Sequence, residues 1–423
     1  MRYVCLFMVS LGCALAQQYK AGEYELYAEV TKQYAAGDFG KALAALEAWT
    51  GKVPETEFAN NRRILYVQTY FALKQPGKVM EVAAPLLEGD AGKVFPAAAD
   101  RLRVLYLLVT AIRQVGEPTA GQQATAKLAA RQLAEMREAP QGMAAADWER
   151  ARNDLGAAAQ SALLYLALLP VAQAMKGNDC AGAEAAVRKA LEEHPMSVQA
   201  AWYQGSALLC LARQKAGRTS EAIYAFARAA ALDPVKGMVD AKWQQSTVAP
   251  YLEKLYTQYH GKDAEGLEQL KAQAVGSVLP PAGFHIASAA ELAQQKQADF
   301  ESRNPELALW KRIQEALVAS NGEQYFASEL KDSELPPLRG TLVGATPACG
   351  ATELRVAVDG GEAQIALKLE KAVRGKLEAG GSIRWQGVAT GFQKAPFLLT
   401  METEGSKVDG LQVSPCGPAR QTR

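Results

Sequence analysis

The sequence predicts a mostly helical protein, an α-solenoid of antiparallel helix pairs, followed by a small five-stranded all-β barrel. The first observation is a pattern of small and large residues that recurs three times in the helical part. The second is a change from a helical to a two-residue hydrophobic period after about residue 338. The third is composition, because 49% of the residues are hydrophobic and only 8% aromatic, which favours closely packed helices.

The repeated pattern has the spacing Ala-x3-apolar-x2-Ala-x4-Pro, so its first three members share one face of a helix. The third copy carries Trp at the second small position. The copies are Ala183, Val187, Ala190 and Pro195; Ala222, Phe226, Ala229 and Pro234; and Ala42, Leu46, Trp49 and Pro54. Recurrence of this kind predicts stacked helical repeats, each closed by a proline.

Length and charge limit the classes of partner. A chain of 423 residues is long for one domain and suggests two or three units. Its 46 Lys and Arg residues nearly balance its 45 Asp and Glu residues. We therefore expect no nucleic-acid partner and no broad attraction to an anionic membrane.

Residues 1–16 have the features of a signal peptide. A short positive start, Met1-Arg2, precedes an apolar run and the small-x-small cleavage site Ala14-Leu15-Ala16. The mature protein is therefore expected to be exported, either periplasmic or secreted. The alternative is a lipoprotein anchored through Cys13, but Ser10 stands where lipoprotein signals usually carry Leu. In either case no transmembrane segment is expected in the mature chain, since the apolar run 162–174 is too short to span a bilayer.

Four cysteines remain after the signal peptide: Cys180, Cys210, Cys349 and Cys416. Export permits disulfides, and four cysteines allow three connectivities. Pairing within segments gives Cys180–Cys210 and Cys349–Cys416, while the alternative is four buried free thiols. Because the chain has no Cys-x-x-Cys motif, a dithiol redox centre or a zinc ribbon is not expected.

Glycine and proline divide the amino-terminal part into helices of about a dozen residues or more. Glycine opens the backbone at turns, and proline cannot continue a helix. We expect a break or a kink at Pro170, inside the longest helical stretch. The predicted helices cover residues 24–34, 40–51, 60–73, 78–87, 95–115, 121–138 and 146–175.

The segment Leu164–Pro234 resembles the tetratricopeptide repeat, a helix–turn–helix unit of 34 residues. Trp202 and Gly205 fit the first-helix positions of that family, and the second copy of the pattern fits the second helix. The distance from Ala183 to Ala222 is 39 residues, so one helix or turn of the unit is enlarged. The resemblance implies helical repeats over residues 17–245 and a buried Trp202 between helices.

The resemblance also implies a concave groove that binds a protein or peptide partner, either an extended peptide or a partner's helix. Asn61 and Gln68 are the candidate groove residues, since their amides can hydrogen-bond a peptide backbone. The simpler interpretation is that these polar side chains face solvent. Tyrosines 66, 70, 251 and 256 are expected to pack between helices rather than line the groove.

Residues 246–334 are predicted to form further helices that pack on or extend the solenoid, including 246–259 and 289–303. Over residues 338–413 the alternation predicts five short strands in an order similar to an OB-fold, with a small open sandwich as the alternative. Trp385 is the candidate ligand-stacking residue of this module, unless it belongs to the barrel core. Residues 414–423 are assigned to a carboxyl-terminal tail.

The sequence contains no recognisable catalytic constellation. Its three histidines lack the spacing of a helical metal site, and no phosphate loop or nucleophile elbow is present. No catalytic residue, metal or cofactor is therefore assigned. The predicted function is a non-enzymatic exported scaffold or adaptor for proteins in the periplasm or cell envelope. The alternative is an envelope glycan-binding protein that uses the OB-like module.

Overall fold

The computed structural model describes residues 19–95, 97–214 and 217–416. The expected signal peptide, Cys13 and most of the carboxyl-terminal tail lie outside the described residues. The chain divides after Ile286 into two compact units. The first is helical, and the second contains a closed five-stranded β-barrel, so the predicted fold class is confirmed.

The first unit consists of α-helices joined by short turns. Asp38 and Asp179 each accept a hydrogen bond from a first-turn backbone N–H, as helix N-caps do. The helices are α1 Glu23–Ala35, α2 Phe39–Lys52, α3 Ala59–Ala72, α4 Pro76–Glu88, α5 Ala91–Val94, α6 Ala98–Ala111, α7 Ala120–Glu135, α8 Ala145–Lys176, α9 Cys180–Glu193, α10 Val198–Gln214, α11 Thr219–Ala231, α12 Ala241–Trp243, α13 Ala249–His260 and α14 Leu267–Gly276.

Neighbouring helices pack as pairs: α1 on α2, α3 on α4, α6 on α7, α8 on α9 and α10 on α11. The three apolar positions of each repeat copy are at most 2% exposed, so the pattern marks the buried face of α2, α9 and α11. The closing prolines follow the last helical residues Lys52, Glu193 and Ala231 within three positions. The recurring pattern therefore corresponds to recurring helix-pair packing.

Buried Arg228 joins three parts of this unit. It lies on α11 with 2% of its surface exposed. Its guanidinium donates to the carbonyls of Ala274, Val275 and Ser277 at 2.7–2.9 Å, at the carboxyl end of α14. It also donates to the carbonyl of Pro195 at 2.8 Å. The last carbonyls of a helix have no donor within the helix, and at the end of α14 the Arg228 guanidinium supplies these hydrogen bonds.

Of the break or kink expected at Pro170, the break is not observed, because helix α8 continues through this residue. Pro170 is exposed, and the carbonyl that loses its helical donor lies on this solvent-facing side. By length and composition, α8 is the one helix among the described residues that meets the criteria for crossing a membrane. In this structure it packs against α7 and α9, and 28% of its apolar 18-residue window is buried.

Both predicted disulfides are present. Cys180 and Cys210 join the start of α9 to α10 with their Cα atoms 5.6 Å apart. Cys349 and Cys416 join two segments of the second unit with a Cα separation of 6.0 Å. The alternative of four free thiols is therefore wrong for this structure, and the bridges are compatible with an exported protein.

The second unit is a barrel with helices packed against it. Its five long strands pair in the order β1-β2-β3-β6-β5, and β1 closes the barrel on β5. The β3–β6 pair is parallel and the other pairs are antiparallel, while β7 extends β5 at one end. The strands are β1 Glu334–Thr346, β2 Glu353–Ala357, β3 Ile365–Leu369, β4 Lys376–Leu377, β5 Ser382–Lys394, β6 Phe397–Thr403, β7 Val408–Asp409 and β8 Val413–Ser414.

The sequence assigns residues 246–334 to the solenoid, but the structure divides them between the units. Helices α15 Ala289–Arg303, α16 Pro305–Val318 and α17 Gly322–Tyr325 belong to the second unit. Trp310 and Ile313 of α16 lie in the barrel core. The apolar face of α16 was visible in the sequence, but the first of its partner strands begins only at Glu334, beyond the end of the helix at Val318.

The barrel also begins earlier than residue 338. Strand β1 starts at Glu334 and includes Pro336-Pro337, which the sequence suggests as a terminator. The register of β1 against β5 shifts between Leu335 and Leu338, so the two prolines lie where ladder pairing is interrupted. A proline without an N–H donor is tolerated at such an irregularity.

Candidate functional site

The predicted groove residues of α3 offer little surface. Gln68 is 7% exposed and Asn61 is half-buried. Their neighbour Arg62 donates to the carbonyls of Val53 and Pro54 at 2.6 and 2.9 Å, which ties α3 to the end of α2. Gln68 is therefore a poor candidate for contacting a partner, whereas Asn61 keeps partial access.

Trp385 does not present a ring to ligands. It is 1% exposed and lies in the barrel core, on the inward-facing register of β5 that also contains Ile383. The alternation along β5 predicted a strand with one buried face but did not say which face was buried. The glycan-binding alternative therefore loses its proposed stacking residue.

Two hollows are open at the surface. One, of about 320 Å³, lies in the helical unit beside His194, Met196 and Met238. Burial lowers the pKa of His194, and the neighbouring Glu193 carboxylate partly opposes this shift. The other hollow, of about 370 Å³, lies on the barrel and mixes glutamates with Lys368 and Lys407. Within the described residues, no group of three or more His, Cys, Asp or Glu side chains is placed to hold a metal ion.

A more specific arrangement is the aromatic cluster formed by Trp202, Phe226, Trp243 and Tyr251. Trp202 of α10 is half-buried rather than buried, and its ring contacts the other three. The ring centroids lie 4.9 Å from Phe226, 5.9 Å from Trp243 and 5.0 Å from Tyr251. Phe226 is 1% exposed and forms the buried base, whereas Tyr251 is 36% exposed. The cluster therefore has a buried base and an open side.

A π-helical segment, Gln244–Val248, connects α12 to α13 and shapes this cluster. In a regular α-helix, Trp243 and Tyr251 are eight positions apart and would point about 80° away from each other. A π-turn absorbs about one extra residue, which reduces the difference to about 20°. The π segment therefore brings both side chains onto the face that contacts Trp202.

Local chemistry explains the π segment. Pro250 has no N–H and its ring would clash with the carbonyl four residues earlier in a regular α-helix. The buried amide of Gln244 donates to the carbonyls of Ala229 and Leu232, each at 2.8 Å. These bonds fix the segment on the end of α11, so the aromatic side chains stand on a fixed helix rather than a loop.

The polar atoms of the cluster remain available. Neither indole N–H, of Trp202 or Trp243, donates to any residue that the structure describes, and neither belongs to the fully buried unpaired atoms. By contrast, Trp49 donates to Glu23 at 2.9 Å and Trp148 donates to the carbonyl of Arg137 at 3.1 Å. Polar ends of partly exposed Trp and Tyr rings are the groups that interfaces commonly use.

Exposed lysines adjoin the cluster in the sequence, Lys242 directly before Trp243 and Lys254 after Tyr251. Lys254 lies one turn after Tyr251 on α13, so the two side chains are neighbours on the helix surface. Within the described part of the chain Lys254 is in no ion pair within 4 Å, unlike Lys271, which pairs with Glu268. The cluster therefore presents apolar rings, hydrogen-bond donors and a positive charge.

The sequence indicated only part of this arrangement. Trp202 was found through the repeat resemblance, but Tyr251 was assigned to packing, and Trp243 lay before the predicted start of its helix at Ser246. The only sequence signal of the π segment was Pro250, which is ordinary at the first turn of a helix. No protein-family model matches the sequence, and comparison with curated proteins finds no significant match.

Proposed function

We propose that this protein is an exported, non-enzymatic scaffold of tetratricopeptide-like helix pairs that binds a protein partner in the periplasm or cell envelope. The observation that carries the proposal is the aromatic cluster, whose open rings and available N–H donors lie on adjoining helices of the array. Stacked helix pairs commonly present such surfaces along the first helix of each pair. The two disulfides and the signal-like residues 1–16 support the exported location.

The test is site-specific photocrosslinking in intact cells that make the full chain. A benzophenone amino acid replaces Tyr251, and in a second strain it replaces Tyr24, which is 57% exposed on α1. We expect a recurrent protein adduct from position 251 that is absent from position 24. The adduct should also disappear when Trp243→Ala is combined with the crosslinker at 251.

Two results would contradict the proposal. One is a set of adducts at position 251 no different from those at position 24. The other is a protein adduct that persists unchanged with Trp243→Ala, since a partner held by the cluster depends on that ring. Circular dichroism of each variant checks that the helical unit is intact.

A further inference from the structure

We infer that the aromatic cluster binds a proline-rich segment of its partner in the polyproline II conformation. The inference rests on the proposed scaffold function and names the chemistry of the bound segment. It depends on three features of the cluster: indole donors with no acceptor among the described residues, rings that meet edge to face, and a nearby lysine outside any described ion pair.

The donors match the backbone of a polyproline II helix. Such a helix has no internal hydrogen bonds, so its carbonyls point outward and accept hydrogen bonds from a partner. Indole N–H groups only donate, and the two in the cluster belong to the partly exposed Trp202 and Trp243, while Tyr251 adds an exposed side chain with a hydroxyl. In a regular helix, or in a strand already paired in a sheet, the backbone carbonyls accept hydrogen bonds within that structure. Such a partner therefore has fewer free carbonyls for these donors.

The spacing of the rings also fits. Trp243 and Tyr251 lie 5.9 and 5.0 Å from Trp202, so their centroids are at most 10.9 Å apart, the total of the two distances. One turn of polyproline II is three residues and about 9 Å long. The outer two rings are therefore close enough to contact successive turns of one segment.

The angles between the rings favour proline over sugar. Trp202 meets Trp243 at 71° and Tyr251 at 63°, which leaves creases between perpendicular rings rather than a broad flat face. A compact pyrrolidine ring fits such a crease, and aromatic-lined grooves bind proline-rich segments. Sugar hydroxyls require acceptors as well as donors, and of the polar ring groups in the cluster only the Tyr251 hydroxyl can accept.

Lys254 specifies the charge of the partner. An exposed lysine outside any described ion pair, one turn from Tyr251, attracts a carboxylate on the bound segment. The expected occupant is therefore a proline-rich segment that carries an acidic residue beside its prolines. Because this charge is solvent-exposed, its contribution decreases as salt concentration rises.

The test is fluorescence anisotropy with the full-length oxidised protein and labelled synthetic peptides of equal length. The peptides are an oligoproline with one Asp, the same oligoproline with Lys in place of Asp, and a Gly-Ser sequence with one Asp. We expect the acidic oligoproline to bind best. Trp243→Ala and Tyr251→Ala should each weaken its binding about tenfold or more, as loss of an interface anchor does.

Milder variants keep the test decisive if an alanine variant is unstable. Tyr251→Phe removes only the hydroxyl and should weaken binding severalfold with an unchanged melting temperature. Lys254→Gln should abolish the preference for Asp over Lys in the peptide. Tyr24→Ala is the control. Tyr24 is exposed on α1 and distant in the sequence from the cluster, so this substitution should leave all peptide affinities unchanged.

Three outcomes would overturn the inference. The first is no binding of either oligoproline, or equal binding of the Gly-Ser peptide. The second is binding of a purified envelope glycan that Trp243→Ala abolishes. The third is self-association that Trp243→Ala abolishes, which identifies a second copy as the occupant. If the crosslinker at 251 captures a protein while oligoproline fails to bind or compete, the scaffold function stands and this ligand class is wrong.

Discussion

Glu23 is a carboxylate held almost entirely away from water. It is the first residue of α1 and is 1% exposed. Trp49 donates its indole N–H to one carboxylate oxygen at 2.9 Å, and the backbone N–H of Lys20 donates to the other at 3.2 Å. In the amino-terminal repeat copy, Trp49 takes the place of the alanine found in the other two copies. Its indole N–H is a buried donor, and the Glu23 carboxylate accepts its hydrogen bond.

The pKa of Glu23 predicts how stability changes with pH. Burial by itself raises this pKa, but hydrogen bonds from Thr56, Trp49 and the backbone of Lys20 outweigh it, and the pKa lies below the ordinary 4.5. Stabilisation by the charged form is therefore complete above that value and is lost as pH falls through the folded-state pKa. We expect Glu23→Gln to lower the free energy of unfolding by about 1–3 kcal/mol at neutral pH.

Urea denaturation of both proteins, from neutral pH down to about pH 3, measures this difference. It should shrink as pH falls below 4.5, because the carboxyl is protonated first in the unfolded chain and then, below its lower folded-state pKa, in the folded protein as well. Glu25→Gln is the matched control, since Glu25 is in the same first helical turn but exposed, and it should have little effect. A difference that stays constant over the whole pH range contradicts the assigned role of the Glu23 charge.

At the scale of elements, the close approach of α10 and α11 depends on Gly205. A Cβ atom on Gly205 would lie 2.8 Å from the ring of Phe226. Phe226 cannot move aside easily, because it is 1% exposed and its ring also contacts Trp202 and Tyr251. Gly205 is therefore required at this position of the repeat, because any larger residue would clash with Phe226 on the facing helix.

Gly205→Ala should destabilise the helical unit by about 1–3 kcal/mol, the usual cost of overpacking a filled core. Gly156→Ala is the matched control in α8, where no atom lies within 4 Å of an added Cβ. There the helix propensity of alanine should raise stability by about 0.5–1 kcal/mol. Thermal and urea unfolding measure both. Equal stabilisation by the two substitutions would show that α10 and α11 are not in close contact at Gly205.

Local patterns allowed the helix pairs to be predicted, because each buried face is encoded within one helix. The Cys180–Cys210 and Cys349–Cys416 pairs followed from segment membership alone. The inward direction of Trp385 and the shared face of Trp243 and Tyr251 did not follow. The first depends on closure of the barrel between strands distant in the sequence, and the second on a π-turn that Pro250 favours and that Gln244 anchors to the end of α11.

At the scale of the whole chain, the barrel needs more than its strands. The core of the second unit contains Trp310, Ile313 and Leu317 of α16 together with residues from the barrel strands. Trp310 is fully buried and its ring contacts Phe397 of β6 at 5.9 Å. Outside this core, Arg384 of β5 pairs with Glu306 of α16 at 2.8 Å. The folding unit therefore extends from about Ala287 rather than from the first strand.

Two fragments test this boundary. Residues 287–423 contain α16 and the whole barrel, whereas residues 334–423 keep every strand and both Cys349 and Cys416 but lack α16. We expect the longer fragment to unfold in one cooperative urea transition. The shorter fragment should unfold at much lower urea, since removal of α16 exposes the apolar side chains that it covers.

Trp310→Ala in the longer fragment separates core packing from chain length. Loss of this buried indole should cost about 3–5 kcal/mol, as large-to-small substitutions of core aromatics do. Arg312→Ala is the neighbouring control on the exposed side of α16 and should change stability little. If residues 334–423 unfold at the same urea midpoint as residues 287–423, the barrel is self-sufficient and α16 is only an attached helix. A midpoint shift shared by the shorter fragment and Trp310→Ala would instead place α16 inside the folding unit, as its burial requires.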